Sequence, residues 1–184
     1  MNHRLTLVTT LVILAVTVTL DQGTKIWAES ALEDGDVVEI LPTLEFDLSY
    51  NSGFSFSTGS GFGPYIGVLV LGLIGFLVWQ IVVSESMARV WILATIMGGA
   101  IGNLVDRLFR ADDGLLSGEV IDFIDVTWYA VFNVADMFVV CGAVAFAGYE
   151  LVLHRRAEHA AATATEPTGA FESDLAEAGG EPLS

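Results

Sequence analysis

The stretch FNVADMFVVCGAVAFAGYELVL, residues 132–153, is oily enough to cross a membrane, yet it opens with an amide and a carboxylate, Asn133 and Asp136. An ionisable group inside a membrane span is costly, and such groups usually have a partner and a task. A single apolar run of this length already favours a membrane-spanning helix over a core helix of a soluble domain. The spacing puts Asp136 about two turns, roughly 9 Å, below the start of a helix beginning near residue 130.

Working outward, three further apolar runs cover residues 5–20, 64–83 and 89–105, the first continued by a polar end to Trp27. A span needs about 20 residues to cross the hydrocarbon core. The second and fourth runs reach this outright; the first and third do so with polar ends in the interface. Over half of the 184 residues are hydrophobic (53%), which suits a small membrane protein better than a soluble domain. The reading is a mainly α membrane protein of four transmembrane helices over residues 1–156. Residues 157–184, rich in Ala, Glu and Gly, read as a disordered acidic cytoplasmic tail.

Orientation follows from basic residues near the span ends. Arg4, Arg89, Arg155 and Arg156 fall on one side, Lys25, Arg107 and Arg110 on the other. This points to both termini in the cytoplasm and the two larger loops outside. A cleaved leader ending near Ala28-Glu29-Ser30 is the alternative, although Asp21 and Lys25 would then lie between the apolar run and the cut. The net charge of −16 is partly carried by the tail, and acidity argues against a nucleic-acid partner.

Counts of the reactive side chains exclude most chemistries. The lone Cys141 forbids an internal disulfide or a thiolate metal cluster, and reads as a small core residue of the fourth span. His3, His154 and His159 all fall on the cytoplasmic side, away from a site built by the outer loops. That leaves carboxylates, amides, one lysine and two arginines outside. They are clustered. In DQGTK, Asp21 and Lys25 stand four apart on one helix face, the spacing of a simple ion pair. LEFDLSY, residues 44–50, alternates like a half-buried strand. Asn51-Ser52-Gly53 offers a turn, and FSF, residues 54–56, resumes the alternation: a small antiparallel β cradle in the first outer loop. GGAIGNLVDR, residues 98–107, combines a close-packing Gly98/Gly102 pair with a polar face of Asn103, Asp106 and Arg107. Adjacent Asp106 and Arg107 suggest a structural ion pair.

Asp122 of VIDF lies just before the fourth helix and can fold over its mouth. Two facing carboxylates at the edge of lipid share a proton, because like charges a few ångströms apart cannot both ionise easily. One then activates water while the other polarises a carbonyl, with no metal, His or Cys. The plainer arrangement, with Asp122 capping the helix and Asp136 paired to Arg107, fits the spacing too. So, on residues alone, do a Ser/Lys hydrolase using Lys25 with Ser55 or Ser57, and a proton relay through Asp106 and Asp136. The first needs a neutral lysine beside Asp21; the second suits four helices without an internal repeat poorly.

The ordered set DQGTK, NSGFSF, GNLVDR, VIDF and FNVAD resembles the lipoprotein signal peptidases, the type II signal peptidases of bacteria, from about residue 21 to 142. The resemblance implies an intramembrane aspartic endopeptidase of the cell membrane. Such an enzyme removes the signal peptide from diacylglyceryl-modified prolipoproteins, just before the lipidated cysteine. It implies Asp122 and Asp136 as the catalytic pair. Asp21, Lys25, Asn51, Gly53, Asn103, Asp106, Arg107, Asn133 and Ala135 match the positions that bind substrate or shape the site. It implies a lipid-modified substrate and membrane phospholipid as partners and no cofactor or metal. A single site set per chain is compatible with a monomer. Phe54-Ser55 departs from the small apolar residues the family favours there.

Overall fold

The computed structural model describes residues 2–33, 35–53, 63–111 and 114–164. Along the chain run α1 (His3–Leu32), β1 (Val38–Leu41), β2 (Leu44–Asn51), α2 (Gly63–Val82), α3 (Met87–Phe109), β3 (Val120–Asp125) and α4 (Val134–Ala164). All four helices are long and apolar enough to cross a membrane. Side chains start two of them: Asn2 accepts from the Arg4 N–H, and Ser86 from that of Arg89.

α3 is the central helix. More than half of its apolar window is buried (56%), against 22% for α1 and 17% for α2. Leu77 and Ile81 of α2 pack on Val90, Leu93, Ala94 and Met97 of α3. Elsewhere on α3, close approach needs glycine. A Cβ on Gly98 would overlap the Thr17 side chain of α1, and one on Gly99 would overlap the Ala135 carbonyl of α4. Cys141 is exposed, so its expected place in the core is wrong. It sits one residue off the seam where Gly142 is buried against Ile96, and a 100° turn carries it outward.

The sheet has the order β1-β2-β3, with both pairings antiparallel. The expected hairpin differs in its partners. β2 turns back through Pro42-Thr43 onto β1, and its other neighbour is β3, contributed by the loop before α4. The expected return arm at residues 54–56 lies outside the described residues. Trp27 and Phe46 meet edge-to-face at 5.3 Å, and Phe123 lies 6.1 and 6.0 Å from them. With Ala28, Leu32 and Ile121, this cluster fastens the sheet to the end of α1.

The chain forms two compact units, Met1–Phe146 and Ala147–Ser184. In the second, α4 continues to Ala164, so residues 157–164 are helical where an unstructured tail was expected. Alanines dominate this stretch, and alanine is the strongest helix former. Residues 165–184 lie outside the described residues.

Candidate active site

The first layer of the site is a buried cation. Lys25 and Asp21 are fully buried, and Lys25 Nζ lies 2.9 Å from Asp21 and 2.7 Å from Asp106 on α3. Its third contact is Asn103 Oδ1 at 2.9 Å. The simple interface pair expected of Asp21 and Lys25 is therefore one edge of a buried triad. Excellent geometry is what makes such a group tolerable in low dielectric. Each carboxylate does a second job: Asp21 Oδ1 accepts from the Ala135 N–H in the first turn of α4 (3.0 Å), and Asp106 Oδ2 accepts from the Ile121 N–H of β3 (3.4 Å). Gly102 lets this happen, because a Cβ there would overlap Asp21 Oδ2.

The second layer is made of amides. Asn133 precedes α4 and caps it: its Oδ1 accepts from the Asp136 N–H at 3.0 Å, and Asp136 Oδ2 accepts from the Asn133 N–H at 3.3 Å. This reciprocal pair is a capping box with an aspartate in the usual glutamate position. It corrects the expected depth of Asp136. The helix starts at Val134, so Asp136 stands in its first turn, not two turns down. The Asn133 Nδ2 group donates to Asp122 Oδ1 at 2.7 Å, to the Ile121 carbonyl at 3.1 Å and to Asn103 Oδ1 at 3.0 Å. Asn103 Nδ2 donates to Asp136 Oδ1 at 2.8 Å. On the other side, Asn51 Nδ2 donates to Asp122 Oδ2 at 3.0 Å, and its own Oδ1 accepts from the Gly53 N–H at 3.0 Å, which fixes the amide.

Two carboxylates from separate segments are thus clamped by one residue, Asn133, through its side chain on Asp122 and its backbone on Asp136. Asp122 is 3% exposed on β3, and its pKa is pushed up to about 6. Burial is the main cause and the Asp136 charge adds to it, while hydrogen bonds from Asn51 and Asn133 oppose both.

Arg107 does not form the ion pair expected with Asp106. Successive helix residues point 100° apart, and Asp106 faces Lys25 with a longer contact to Arg110 Nε at 3.4 Å. Arg107 is 4% exposed, and its Nη1 has no hydrogen-bond partner among the described residues. It lies within electrostatic reach of Asp122, Asp106 and Asp136. The alternative pairing of Asp136 with Arg107 is likewise not formed. Among the described residues no group of His, Cys, Asp and Glu has metal-holding geometry.

All eleven residues singled out in the sequence fall in or beside this network. Three others were missed. Gln22 Nε2 lies 3.1 Å from each of Asp21 Oδ2, the Gly102 carbonyl and Asp106 Oδ1. Arg110 closes the outside, bound by both oxygens of Glu29 at 2.6 and 3.1 Å. Gln22 stands within DQGTK, but nothing in the spacing separates it from a surface glutamine. Glu29 and Arg110 are 81 residues apart, and only tertiary structure joins them.

Four long apolar helices, with a site at which asparagines hold two acidic groups, define a multi-pass membrane protein with a carboxylate-lined site. A family model described as signal peptidase (SPase) II matches residues 13–152. The chain belongs to that family. It is similar to the lipoprotein signal peptidase of Mycobacterium tuberculosis (strain ATCC 25618 / H37Rv), 41% identical over 133 residues, which cover 70% of this chain and 64% of the relative's length. The corresponding protein of Mycobacterium avium (strain 104) is 40% identical over 134 residues, 71% of either chain. Among solved structures, two of a bacterial membrane enzyme obtained by the in meso method, at 2.3 and 1.9 Å, superpose with TM-scores of 0.66 and 0.67. Each is 25% identical; both matches cover 78% of this chain, and 87% and 92% of theirs respectively.

Proposed function

We propose that the chain is an intramembrane aspartic endopeptidase that removes signal peptides from diacylglyceryl-modified prolipoproteins, cutting before the lipidated cysteine. The observation that supports this reading is the Asn133 clamp, which ties the buried Asp122 to the half-buried Asp136. Burial raises the Asp122 carboxyl to about 6, so it holds its proton below that pH and a minor protonated fraction, roughly a tenth, persists at neutrality. The ionised member would take a proton from an attacking water while the protonated member donates to the scissile carbonyl. Collapse of the tetrahedral intermediate returns a proton to the leaving amine and regenerates the singly protonated pair. Arg107, whose buried Nη1 has no hydrogen-bond partner among the described residues and which lies in electrostatic reach of both acids, would donate to a substrate carbonyl.

The hydrolysis uses only groups present in the chain, with no metal or cofactor in any step. Four spans put both termini on one side; taking that side as the cytoplasm, as the placement of Arg4, Arg89, Arg155 and Arg156 suggests, the acid pair would lie towards the outer leaflet, where a lipidated precursor would present its peptide bond. The substrate's acyl chains stay in the bilayer, and the enzyme acts as a monomer. A Ser/Lys mechanism is disfavoured because Lys25 Nζ is fully buried and engaged by Asp21, Asp106 and Asn103.

The test uses the full chain in membranes with a diacylglyceryl-modified precursor, read by mass. Asp122→Asn and Asp136→Asn should each abolish conversion to the shorter form while the protein still inserts. Full processing by either variant refutes the acid-pair mechanism.

A further inference from the structure

At the opposite end of the bundle from the acid pair, α1, α2 and the turn before α3 enclose a half-open, mostly apolar crevice of about 470 Å³. That volume lies in the range of small-molecule sites. Leu7, Ile81 and Met97 contribute to its walls, and Ser84 and Glu85 stand on the α2–α3 turn. Thr10 also lines it, and Thr10 behaves unlike its neighbours. Thr6, Thr9, Thr17 and Thr24 of the same helix all return their hydroxyls to a carbonyl four residues back. Thr10 is 8% exposed, yet its hydroxyl is buried with no hydrogen-bond partner among the described residues. A buried donor left unmade is costly, and one that lines a crevice is poised for an acceptor brought by a ligand.

The depth of Thr10 limits what that acceptor can be. It lies seven residues, about 10 Å, along α1 from His3, which also lines the crevice near the helix start. The headgroup and interfacial layer on each side of a bilayer is several ångströms thick, so Thr10 falls near the level of the glycerol esters. Glu85 adds a charge. Among the described residues it has no ion-pair partner, so it favours a cationic group in the headgroup layer.

We propose that this crevice binds one phospholipid of the leaflet on the N-terminal side. An acyl chain lies between α1 and α2, an ester carbonyl accepts from Thr10, and a headgroup ammonium faces Glu85. The site is separate from the acid pair, and the proposal does not depend on what that pair does.

Native mass spectrometry of the detergent-released full chain provides the test, with added phosphatidylethanolamine, phosphatidylglycerol and a dialkyl-ether phosphatidylethanolamine. The wild type should retain one phosphatidylethanolamine, two- to fivefold in preference to phosphatidylglycerol, the size expected of one partly exposed charge pair. Glu85→Lys should reverse that preference. Thr10→Val, close in shape but lacking the donor, should keep the headgroup preference and lose the discrimination between ester and ether lipid. Leu7→Trp, on an exposed wall, should lower occupancy of every lipid. Equal headgroup occupancy in wild type and Glu85→Lys overturns the proposal. So does displacement of the lipid by a basic signal-peptide segment with no headgroup preference, which would assign the crevice to a peptide.

Discussion

Asp122 makes the folded protein prefer a protonated carboxyl, and this has a measurable cost. Its pKa rises from 3.8 to about 6 on folding, chiefly through burial. Each unit is worth about 1.4 kcal/mol, so the ionised form destabilises the fold by about 3 kcal/mol. The sign follows from linkage. A carboxyl whose folded pKa lies above its unfolded value favours folding most when protonated. That favourable contribution is complete below about pH 3.8 and lost as the pH rises through 6. Asp122→Asn removes this dependence. The variant also puts an amide N–H₂ among the donors Asn51 and Asn133, a penalty that does not vary with pH in this range. The informative quantity is therefore the difference between wild type and variant, followed from pH 3.5 to 7.5 by thermal unfolding in detergent. The variant should gain about 3 kcal/mol on the wild type across this window, roughly 6–12 °C in Tm for a chain of this size. A Tm difference that stays flat, or that moves in favour of the wild type at high pH, would show that Arg107 and the amides stabilise the anion more than burial penalises it.

Lys25→Met should cost about 3–5 kcal/mol, because it leaves Asp21 and Asp106 buried without their cation; accumulation in membranes and the unfolding temperature report it. Asn51→Ala removes a hydrogen bond that lowers the Asp122 pKa, so the alkaline limb of kcat/KM should move up by about one unit; a downward shift argues against Asp122 as a titrating member of the pair. Gly98→Ala should destabilise the α1–α3 contact by about 1–3 kcal/mol, since the new methyl overlaps Thr17. A second change, Thr17→Ala, should restore part of that loss, and independence of the two in a double-mutant cycle refutes the contact.

Much of the architecture was legible because lipid imposes its own code. A span must be long and apolar, so four runs announced four helices, and polar residues within or beside them stood out as a site. The capping box could also have been read locally, from Asn133 standing three residues before Asp136; overlooking it put Asp136 too deep. Composition equally fixed which reactive groups were available at all.

Other features depended on segments remote in sequence. Alternation in residues 44–50 signalled a strand, but its partners, β1 and β3, follow from a register that no local pattern specifies. The Asp106–Arg107 pairing looked natural from adjacency, whereas helix rotation gives Asp106 to Lys25 from another helix and leaves Arg107 Nη1 without a partner among the described residues. Gln22, Glu29 and Arg110 carry no distinguishing neighbours and acquire meaning only where α1 and α3 cross. Sequence by itself determined the spans, the chemical inventory and the acidic candidates, because hydropathy and residue type are local properties. Tertiary structure alone decided which carboxylate faces which cation and how one asparagine bridges both acids, because hydrogen-bond partners are set by distance and direction in space.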